Sequence, residues 1–381
     1  MEVILFMHTE TKKRSNKKIK NDFDSVIFYT TMTLVFIGII MVFSASYIQS
    51  SFKHGDSYHF LKKNLIFAIL GFISMMVVSN IHYEFWKKNS KTICIISAVL
   101  LLLVLTPLGI KLNGARRWLG IGSFTVQPAE IAKFASIVIT AKLVEKKYQD
   151  IKSFKKGLIP LLIVPMIFFI LIMLQPNMST AGTIILVTFV MIFVAGMDMK
   201  LVVGMFFSGV VLFLALALTS PYRLKRVLSF LDPFQDPLGN GYQVIQGLYA
   251  LGSGGLFGMG LGKSQQKWFY IPEPQNDFIF AIIGEELGLV GCTAVILIFV
   301  LLVYRCVIIA LRCPDIFSCM MVIGIGAQIG IQAALNIAVA TSSMPVTGVA
   351  LPFISYGGTS LTILMSAIGI VLNISRHVKI N

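Results

Sequence analysis

The sequence FIFAIIGEELGLVGCTAVILIFVLLVY, residues 278–304, is one of the longest apolar stretches in the chain. A membrane-spanning helix needs about 17–25 predominantly apolar residues. Only two charged residues, Glu285 and Glu286, interrupt this stretch. It therefore predicts a helix that crosses a membrane.

The composition of the whole chain is that of a membrane protein. Of its 381 residues, 56% are hydrophobic and 13% are charged, and the mean hydropathy is +0.83. Soluble domains carry about 25% charged residues. We predict an all-α polytopic membrane protein, a bundle of about ten transmembrane helices. The ten stretches are 25–47, 64–80, 92–110, 128–144, 157–175, 180–197, 200–219, 278–304, 316–340 and 348–374.

The positively charged residues indicate an orientation. Most of the 32 Lys and Arg residues fall on one side if the N-terminus is inside, chiefly in 12–20, 87–91 and 142–156. Because cytoplasmic loops carry the excess of Lys and Arg, we predict that both termini are cytoplasmic. The net charge of +15 is spread over short loops that face anionic lipid, which argues against a nucleic-acid partner.

One connection is far longer than the others. Residues 221–276 join the seventh and eighth stretches, and with this orientation they are extracytoplasmic. Loops of that length are usually functional or disordered, and the density of aromatic residues here argues against disorder. The glycine-rich middle, 239–262, predicts a short interfacial or re-entrant helix with tight turns, packed against protein. The predicted organisation is a basic tail (1–24), a transmembrane domain (25–376) and a short tail (377–381).

Charged residues inside the apolar stretches are candidate functional groups, because each costs about 2.5–3.5 kcal/mol to insert. Glu130 and Lys133 are three residues apart and share a helix face, so we expect an ion pair. Such a pair is compatible with a structural role and with substrate contact. Glu285 and Glu286 point about 100° apart on a helix. We do not expect them to face one partner, and we favour a structural or coupling role.

Two basic clusters fall on the predicted outer side. GARRWL contains Arg116 and Arg117, and PYRLKRVLSF contains Arg223 and Arg226. Arginines beside a tryptophan can serve as membrane anchors, but cations here run against the positive-inside bias. Because arginine binds phosphate through two parallel hydrogen bonds, a phosphate-bearing ligand is the better explanation.

The segment IPEPQNDFIF, 271–280, places Glu273 and Asp277 just before the eighth stretch. An aspartate before an apolar helix is an ordinary N-cap, worth about 0.5–2 kcal/mol. A carboxylate at a membrane boundary can also act as a general base. The residues alone leave both interpretations open.

Several motifs, in order along the chain, resemble those of the SEDS family of shape, elongation, division and sporulation proteins, which includes FtsW, RodA and SpoVE. They are GARRWL, QPAEIAK, YRLKRVLSFLDPFQDPLGNGYQ, IPEPQNDFIFAIIGEELG and PVTGVALPFISYGGTS. The match runs from about residue 25 to residue 376, and KWFYIPEPQNDFIF and LDPFQDPLGNGYQ resemble the FtsW and SpoVE branch. The resemblance implies a ten-helix bundle with a large extracytoplasmic loop before the eighth helix.

The same resemblance implies a function. It is peptidoglycan glycosyltransferase activity, the polymerisation of lipid II at the outer face of the bacterial cytoplasmic membrane during cell division or sporulation. The essential acidic residue of the family falls on Asp277, which would be the general base. The implied partners are lipid II, a class B penicillin-binding protein and membrane lipid. A divalent cation, Mg or Mn, is the candidate cofactor, and we expect no organic cofactor.

Candidate substrate-binding residues follow from the charge pattern and the motifs together. They are Arg116, Arg117, Glu130, Lys133, Arg223, Glu273 and Ser355. The chain departs from the family at QPNMST, 175–180, which lacks a common carboxylate, and at Thr347, where some relatives have lysine. We carry over no role for those two positions.

Two other functions stay open. A lipid II flippase also fits ten helices with buried charges and a lipid-linked anionic substrate. Against a flippase, the spans show no obvious internal repeat, and the distinctive polar groups gather at one face of the membrane rather than midway across it. A division scaffold without catalysis would not require a carboxylate beside an outward cationic cluster.

Overall fold

The computed structural model describes residues 22–112, 114–121, 124–218, 221–239 and 241–378. Within these ranges the chain is an all-α bundle with one small sheet, as predicted for a polytopic membrane protein. The twelve α-helices of the described residues are α1 (Ser25–His54), α2 (His59–Ser79), α3 (Glu84–Leu105), α4 (Pro128–Lys146), α5 (Ile159–Met173), α6 (Met178–Val194), α7 (Met199–Leu218), α8 (Pro221–Leu231), α9 (Tyr242–Gly254), α10 (Ile279–Leu311), α11 (Ile316–Ala340) and α12 (Gly358–Ser375).

Ten of these helices overlap the ten predicted apolar stretches, one helix to each stretch. Seven helical segments of the described chain are long and apolar enough to cross a membrane; they are α1, α2, α3, α5 with the π-helical turn Phe154–Leu158 before it, α10, α11 and α12. Two apolar segments, Met178–Val194 and Met199–Leu212, are shorter. The remaining helix, α4, carries the Glu130 and Lys133 charges in its first turns.

The predicted end of the third stretch, at residue 110, is wrong. Helix α3 ends at Leu105, and the chain then forms a three-stranded antiparallel sheet of β1 (Gly109–Leu112), β2 (Ala115–Ile121) and β3 (Phe124–Val126). Gly114 turns the first hairpin with a φ of 80°, a conformation that glycine adopts without a steric cost. The sheet brings the GARRWL motif next to the start of α4.

The tenth stretch, 348–374, is not helical throughout. Helix α12 begins at Gly358, and residues 344–357 form an irregular loop although Val349, Leu351 and Ile354 are buried. The loop packs against α1 at Gly38, where an added Cβ would lie 2.5 Å from a backbone oxygen of the loop. Irregular backbone at membrane depth is tolerated where protein surrounds it, which explains how an apolar sequence here avoids the helix.

The long connection contains the predicted short helix. Helix α9 buries Val244, Ile245 and Ala250, and it meets α10 so closely that a Cβ on Gly254 would lie 2.0 Å from a backbone oxygen of α10. An amphipathic helix, α8, precedes it. The connection is therefore packed against the bundle, as the aromatic and glycine content predicted.

Helix α10 is interrupted at Gly288, whose φ and ψ are 67° and −166°. An interruption leaves backbone N–H and C=O groups without helical partners. The loop 255–260 provides those partners through four hydrogen bonds, Leu289 N–H to Gly255 O (2.9 Å), Val290 N–H to Leu256 O (3.1 Å), Met259 N–H to Glu285 O (2.9 Å) and Gly260 N–H to Glu286 O (3.0 Å). The long connection is thus hydrogen-bonded to both halves of the interrupted helix.

Candidate functional site

A pocket of about 400 Å³ lies where the long connection meets the ends of α1 and α10. Polar side chains dominate its wall. The lining residues are Gln49, Lys53, Gln243, Phe269, Pro272, Glu273, Asn276 and Asp277. The predicted acidic pair, Glu273 and Asp277, therefore occupies one open cavity.

Asp277 is fixed mainly through its backbone. The side-chain amide of Asn336, in α11, donates to the Asp277 carbonyl (2.9 Å) and to the Val349 carbonyl (2.8 Å). A Cβ on Gly348 would lie 3.4 Å from Asp277 Oδ2, so the irregular loop 344–357 faces the carboxylate. The N-cap of α10 is Phe278, without a side-chain cap bond. The arrangement therefore disfavours the N-cap interpretation of Asp277.

The environment of the Asp277 carboxylate makes it a better base. Burial raises its pKa, and the charge of Glu273 acts in the same direction. The positive charges of Arg226 and Arg117 oppose this shift in pKa without cancelling it. A carboxylate with a raised pKa that borders an open pocket can accept a proton from a bound hydroxyl.

The two arginines of the GARRWL motif are not equivalent. Successive residues of a strand point to opposite faces. Arg117 is half-buried, donates to the carbonyls of Gln175 and Pro176, and acts electrostatically on Asp277. Arg116 is exposed and donates to the Thr106 carbonyl (3.3 Å) beside the sheet. Only Arg117 is therefore brought towards the carboxylate among these two.

The second basic cluster lies on α8. The side chain of Arg223 lies outside the described residues, so its predicted role stays a prediction. Arg226, one helical turn further on, is half-buried and donates to the Val346 carbonyl (2.9 Å). Arg226 also acts electrostatically on Asp277. The sequence analysis named Arg226 in this cluster but did not include it among the candidate substrate-binding residues.

The predicted ion pair between Glu130 and Lys133 is confirmed. The charged atoms are 2.8 Å apart and both side chains are buried. Ser360, in α12, donates to the second carboxylate oxygen of Glu130 (2.9 Å). Lys133 also lines a narrow cleft between α4, α6 and α11. The pair joins helices α4 and α12, and its contact with substrate stays a prediction.

Glu273 and Ser355 occupy different surroundings. Glu273 is exposed on the pocket wall, with a φ of 46°, and accepts a hydrogen bond from the Asn276 amide (2.9 Å). Ser355 is buried, and its hydroxyl accepts the Leu351 N–H (2.8 Å) within the irregular loop. Its observed contact thus stabilises the loop, and its role in substrate binding stays a prediction.

Of the six pocket residues that were not predicted as site residues, three are polar and distant in sequence from Asp277. Gln49 and Lys53 are four residues apart near the end of α1 and therefore share a helix face. Helix α1 ends at a left-handed Gly55 (φ 68°), which leaves them at the level of the pocket. Gln243, in α9, is the third. A polar pair at helical spacing at the end of an apolar stretch was the available signal for the first two.

Glu285 and Glu286 lie in a different, buried cluster. Against expectation, one residue contacts both: the Ser264 hydroxyl donates to Glu285 (2.5 Å) and the Ser264 N–H donates to Glu286 (3.3 Å). The sequence argument treated a partner as a single group. Ser264 carries two donors, a hydroxyl and a backbone N–H, and they reach the two diverging carboxylates.

Comparison with known proteins identifies the family. The family model for FtsW, RodA and SpoVE, described as "Cell cycle protein", matches residues 24–380. Stage V sporulation protein E of Bacillus subtilis is 46% identical over 355 residues, covering 93% of this chain and 97% of that protein. A probable peptidoglycan glycosyltransferase FtsW of Trichlorobacter lovleyi is 41% identical over 360 residues, covering 94% of each.

Solved structures share the fold. A peptidoglycan synthase complex, studied for its coordination of polymerisation and crosslinking, contains a chain with 29% identity and a TM-score of 0.78, covering 93% of this chain and 98% of that one. RodA of Thermus thermophilus has 26% identity and a TM-score of 0.70, covering 94% and 98%.

The apolar helices and the open polar pocket define a multi-pass membrane protein with a candidate site at the ends of its helices. The chain belongs to the FtsW/RodA/SpoVE family, as its motifs indicated.

Proposed function

We propose that this chain is a peptidoglycan glycosyltransferase that polymerises lipid II at the outer face of the bacterial cytoplasmic membrane, with Asp277 as the general base. The observation that carries the proposal is the Asp277 carboxylate, with a raised pKa, on the wall of an open pocket. Relatives that share up to 41% identity are named probable peptidoglycan glycosyltransferases, which supports the same activity here.

The reaction needs one base. The 4-hydroxyl oxygen of the acceptor sugar attacks the anomeric carbon of the donor, and Asp277 takes the hydroxyl proton. The bond from the anomeric carbon to the diphosphate breaks as the new glycosidic bond forms. Because the lipid diphosphate leaves as a weak base, the reaction needs no general acid of the kind that glycosidases use.

Positive charges must offset the charge that develops on the diphosphate. Arg117 and Arg226 act electrostatically at Asp277, and Lys53 lies on the pocket wall. We assign them to the diphosphate. Glu130, Lys133 and Arg223 remain candidates for substrate contact on the strength of the family resemblance, and Arg116 is the weakest of the set because it faces away.

A divalent cation, Mg or Mn, is part of the proposal. No cluster of three or more His, Cys, Asp or Glu side chains in the described chain could hold a metal ion alone. Beside the base, the pocket does offer oxygen ligands, namely the carboxylate of Glu273 and the unpartnered amide oxygens of Gln49 and Asn276. This set fits Mg²⁺, which typically binds one or two carboxylates together with substrate phosphates. Bound there, the ion would neutralise diphosphate charge.

Orientation and partner complete the proposal. Both termini are cytoplasmic and residues 221–276 are extracytoplasmic, which the Lys and Arg distribution supports. The partner is a class B penicillin-binding protein, which would crosslink the strands made here. The similarity to a peptidoglycan synthase complex that coordinates polymerisation with crosslinking supports this assignment.

The test is polymerisation of lipid II by the purified protein, with and without a class B penicillin-binding protein. We expect glycan strands from the wild type and none above background from Asp277→Asn. Movement of lipid II across vesicle membranes without strand formation would refute the proposal and identify a flippase.

A further inference from the structure

A cluster of buried charged and polar groups lies beside the break in α10 and does not line the pocket. The side chains of Lys267 and Glu286 are 0% exposed, and that of Glu285 belongs to the same buried set. Ser44, in α1, and Ser264 complete the cluster. Charged groups buried this completely are costly unless their partners are held in place.

Lys267 connects three parts of the chain. Its ammonium nitrogen lies 2.9 Å from Glu286 Oε1 in α10, 2.6 Å from the Gly262 carbonyl and 3.4 Å from the Ser44 hydroxyl in α1. It also lies 4.8 Å from the centroid of the Tyr47 ring, on the same helix as Ser44. Ser44 in turn donates to Glu286 (2.7 Å). The ammonium group therefore holds its own loop between two helices.

Glu285 fixes the turn in which Lys267 lies. Its carboxylate accepts the Ser264 hydroxyl (2.5 Å), the Gln265 N–H (2.7 Å) and the Gln266 N–H (3.3 Å). These contacts satisfy successive donors at the start of the segment 264–277, which ends at Asp277. The two glutamates thus anchor the first residues of the segment that carries the carboxylate of the pocket.

The rest of that segment has no regular structure to position it. The chain contains neither helix nor strand from Gly255 to Phe278. Three further bonds tie it to other parts of the described chain: Gln49 Nε2 to the Ile271 carbonyl (3.2 Å), Tyr356 N–H to the Gln275 carbonyl (2.9 Å) and Asn336 Nδ2 to the Asp277 carbonyl (2.9 Å). The place of Asp277 therefore depends on a few specific ties, and the buried ion pair among them lies near the start of the segment.

We propose that Lys267 is a positioning residue: its buried ion pair with Glu286 fixes the segment 264–277 and so holds the Asp277 carboxylate in the pocket. A buried ion pair adds little net stability compared with apolar side chains, but it requires its two members to stay at one distance and register. A segment without helix or strand needs such a fixed distance and register if its carboxylate is to stay in the pocket. The role of Asp277 in this inference rests on the proposed function.

The test compares Lys267→Met with the double variant Lys267→Met/Glu286→Gln. The single variant leaves the buried Glu286 carboxylate without its cationic partner, so we expect a lower melting temperature. The double variant removes both charges, so we expect its melting temperature in detergent to return close to that of the wild type. Its maximal rate of lipid II polymerisation should stay at least tenfold lower, with KM for lipid II within twofold. The matched control is Lys263→Met, which replaces an exposed lysine of the same loop. It should leave the melting temperature, the maximal rate and KM unchanged.

A second measurement follows the segment itself. Gln275 is 2% exposed. In a background without the five native cysteines, Gln275→Cys should react slowly with a maleimide. The double variant should react at least tenfold faster, because the segment has lost its anchor. This readout does not depend on catalysis: if Asp277→Asn still polymerises lipid II, the general-base assignment fails and the labelling rate still decides the role of Lys267.

Two results would overturn the proposal. If the double variant polymerises and labels like the wild type, the pair only balances charge. If the double variant fails to fold in membranes, the pair carries the fold rather than the placement of one segment.

Discussion

Replacing Asp277 by asparagine separates a general base from a structural residue. Asparagine keeps the size of the side chain and removes its negative charge. The N-cap of α10 is Phe278, and the tie to Asn336 uses the backbone carbonyl of Asp277, which the substitution leaves in place. We therefore expect Asp277→Asn to fold and to keep its pocket while it loses polymerisation.

The expected loss of polymerisation rate and the expected change in stability follow from the proposed role of Asp277 and from its burial. Base catalysis is worth about 10²–10⁴-fold, or about 3–5 kcal/mol of transition-state stabilisation. The thermal stability of the variant, in contrast, should not fall with its activity. Burial raises the pKa of Asp277 in the folded state, so its contribution to stability is full when the group is protonated and is lost as pH rises through that pKa. Asparagine cannot ionise, so the variant should melt at the same or a slightly higher temperature at neutral pH.

The assay is strand formation from lipid II, with thermal unfolding measured on the same preparation. Glu273→Gln is the control, because Glu273 is an exposed carboxylate on the same wall, and we expect a smaller loss. In the wild type, the rate should fall on the acid side at a pH above the ordinary aspartate pKa of about 3.9. Long glycan strands from Asp277→Asn, or equal losses in both variants, would refute the reasoning.

Three further predictions rest on other parts of the structure. Arg117→Ala should raise KM for lipid II at least several-fold and Arg116→Ala should not, because only Arg117 is turned towards Asp277; equal effects in a kinetic titration would contradict this. A thiol at Ser253→Cys should be labelled from outside intact cells and one at Ser153→Cys should not, and the reverse pattern would invert the topology. Gly38→Ala should destabilise the protein by about 1–3 kcal/mol in thermal unfolding, since its Cβ would lie 2.5 Å from backbone of the irregular loop, and a smaller effect would show that the loop can move away.

The spans were predictable from the sequence because the bilayer imposes one simple requirement, about 20 apolar residues per helix. Where the prediction failed, an apolar or mixed sequence found another way to satisfy its backbone. Residues 109–112 pair with β2 in a sheet, and residues 349–355 are mostly buried among helices within an irregular loop. Hydropathy measures burial from water and does not distinguish lipid from protein as the surrounding medium.

The site was predictable only where its residues are neighbours in sequence. Glu273 and Asp277 lie four residues apart, and Glu130 and Lys133 lie three apart, so the spacing alone brought each pair together. Gln49 reaches the pocket through the fold, from more than two hundred residues away in sequence. The motifs indicated which arginine clusters matter, but the choice of Arg117 over Arg116 needed the strand register.

Asp277 lies where two irregular segments meet, and this follows from what helices cannot do. A helix satisfies its own backbone groups and offers few to a neighbour, whereas the segments 264–277 and 344–357 have free N–H and C=O groups with which to hold each other and the helices beside them. Tyr356 N–H bonds to the Gln275 carbonyl, and Asn336 bridges the Asp277 and Val349 carbonyls. These bonds fix a carboxylate that burial alone would disfavour as an ion. The bundle supplies a rigid frame, and Asp277 lies on irregular backbone that can be hydrogen-bonded from several sides at once.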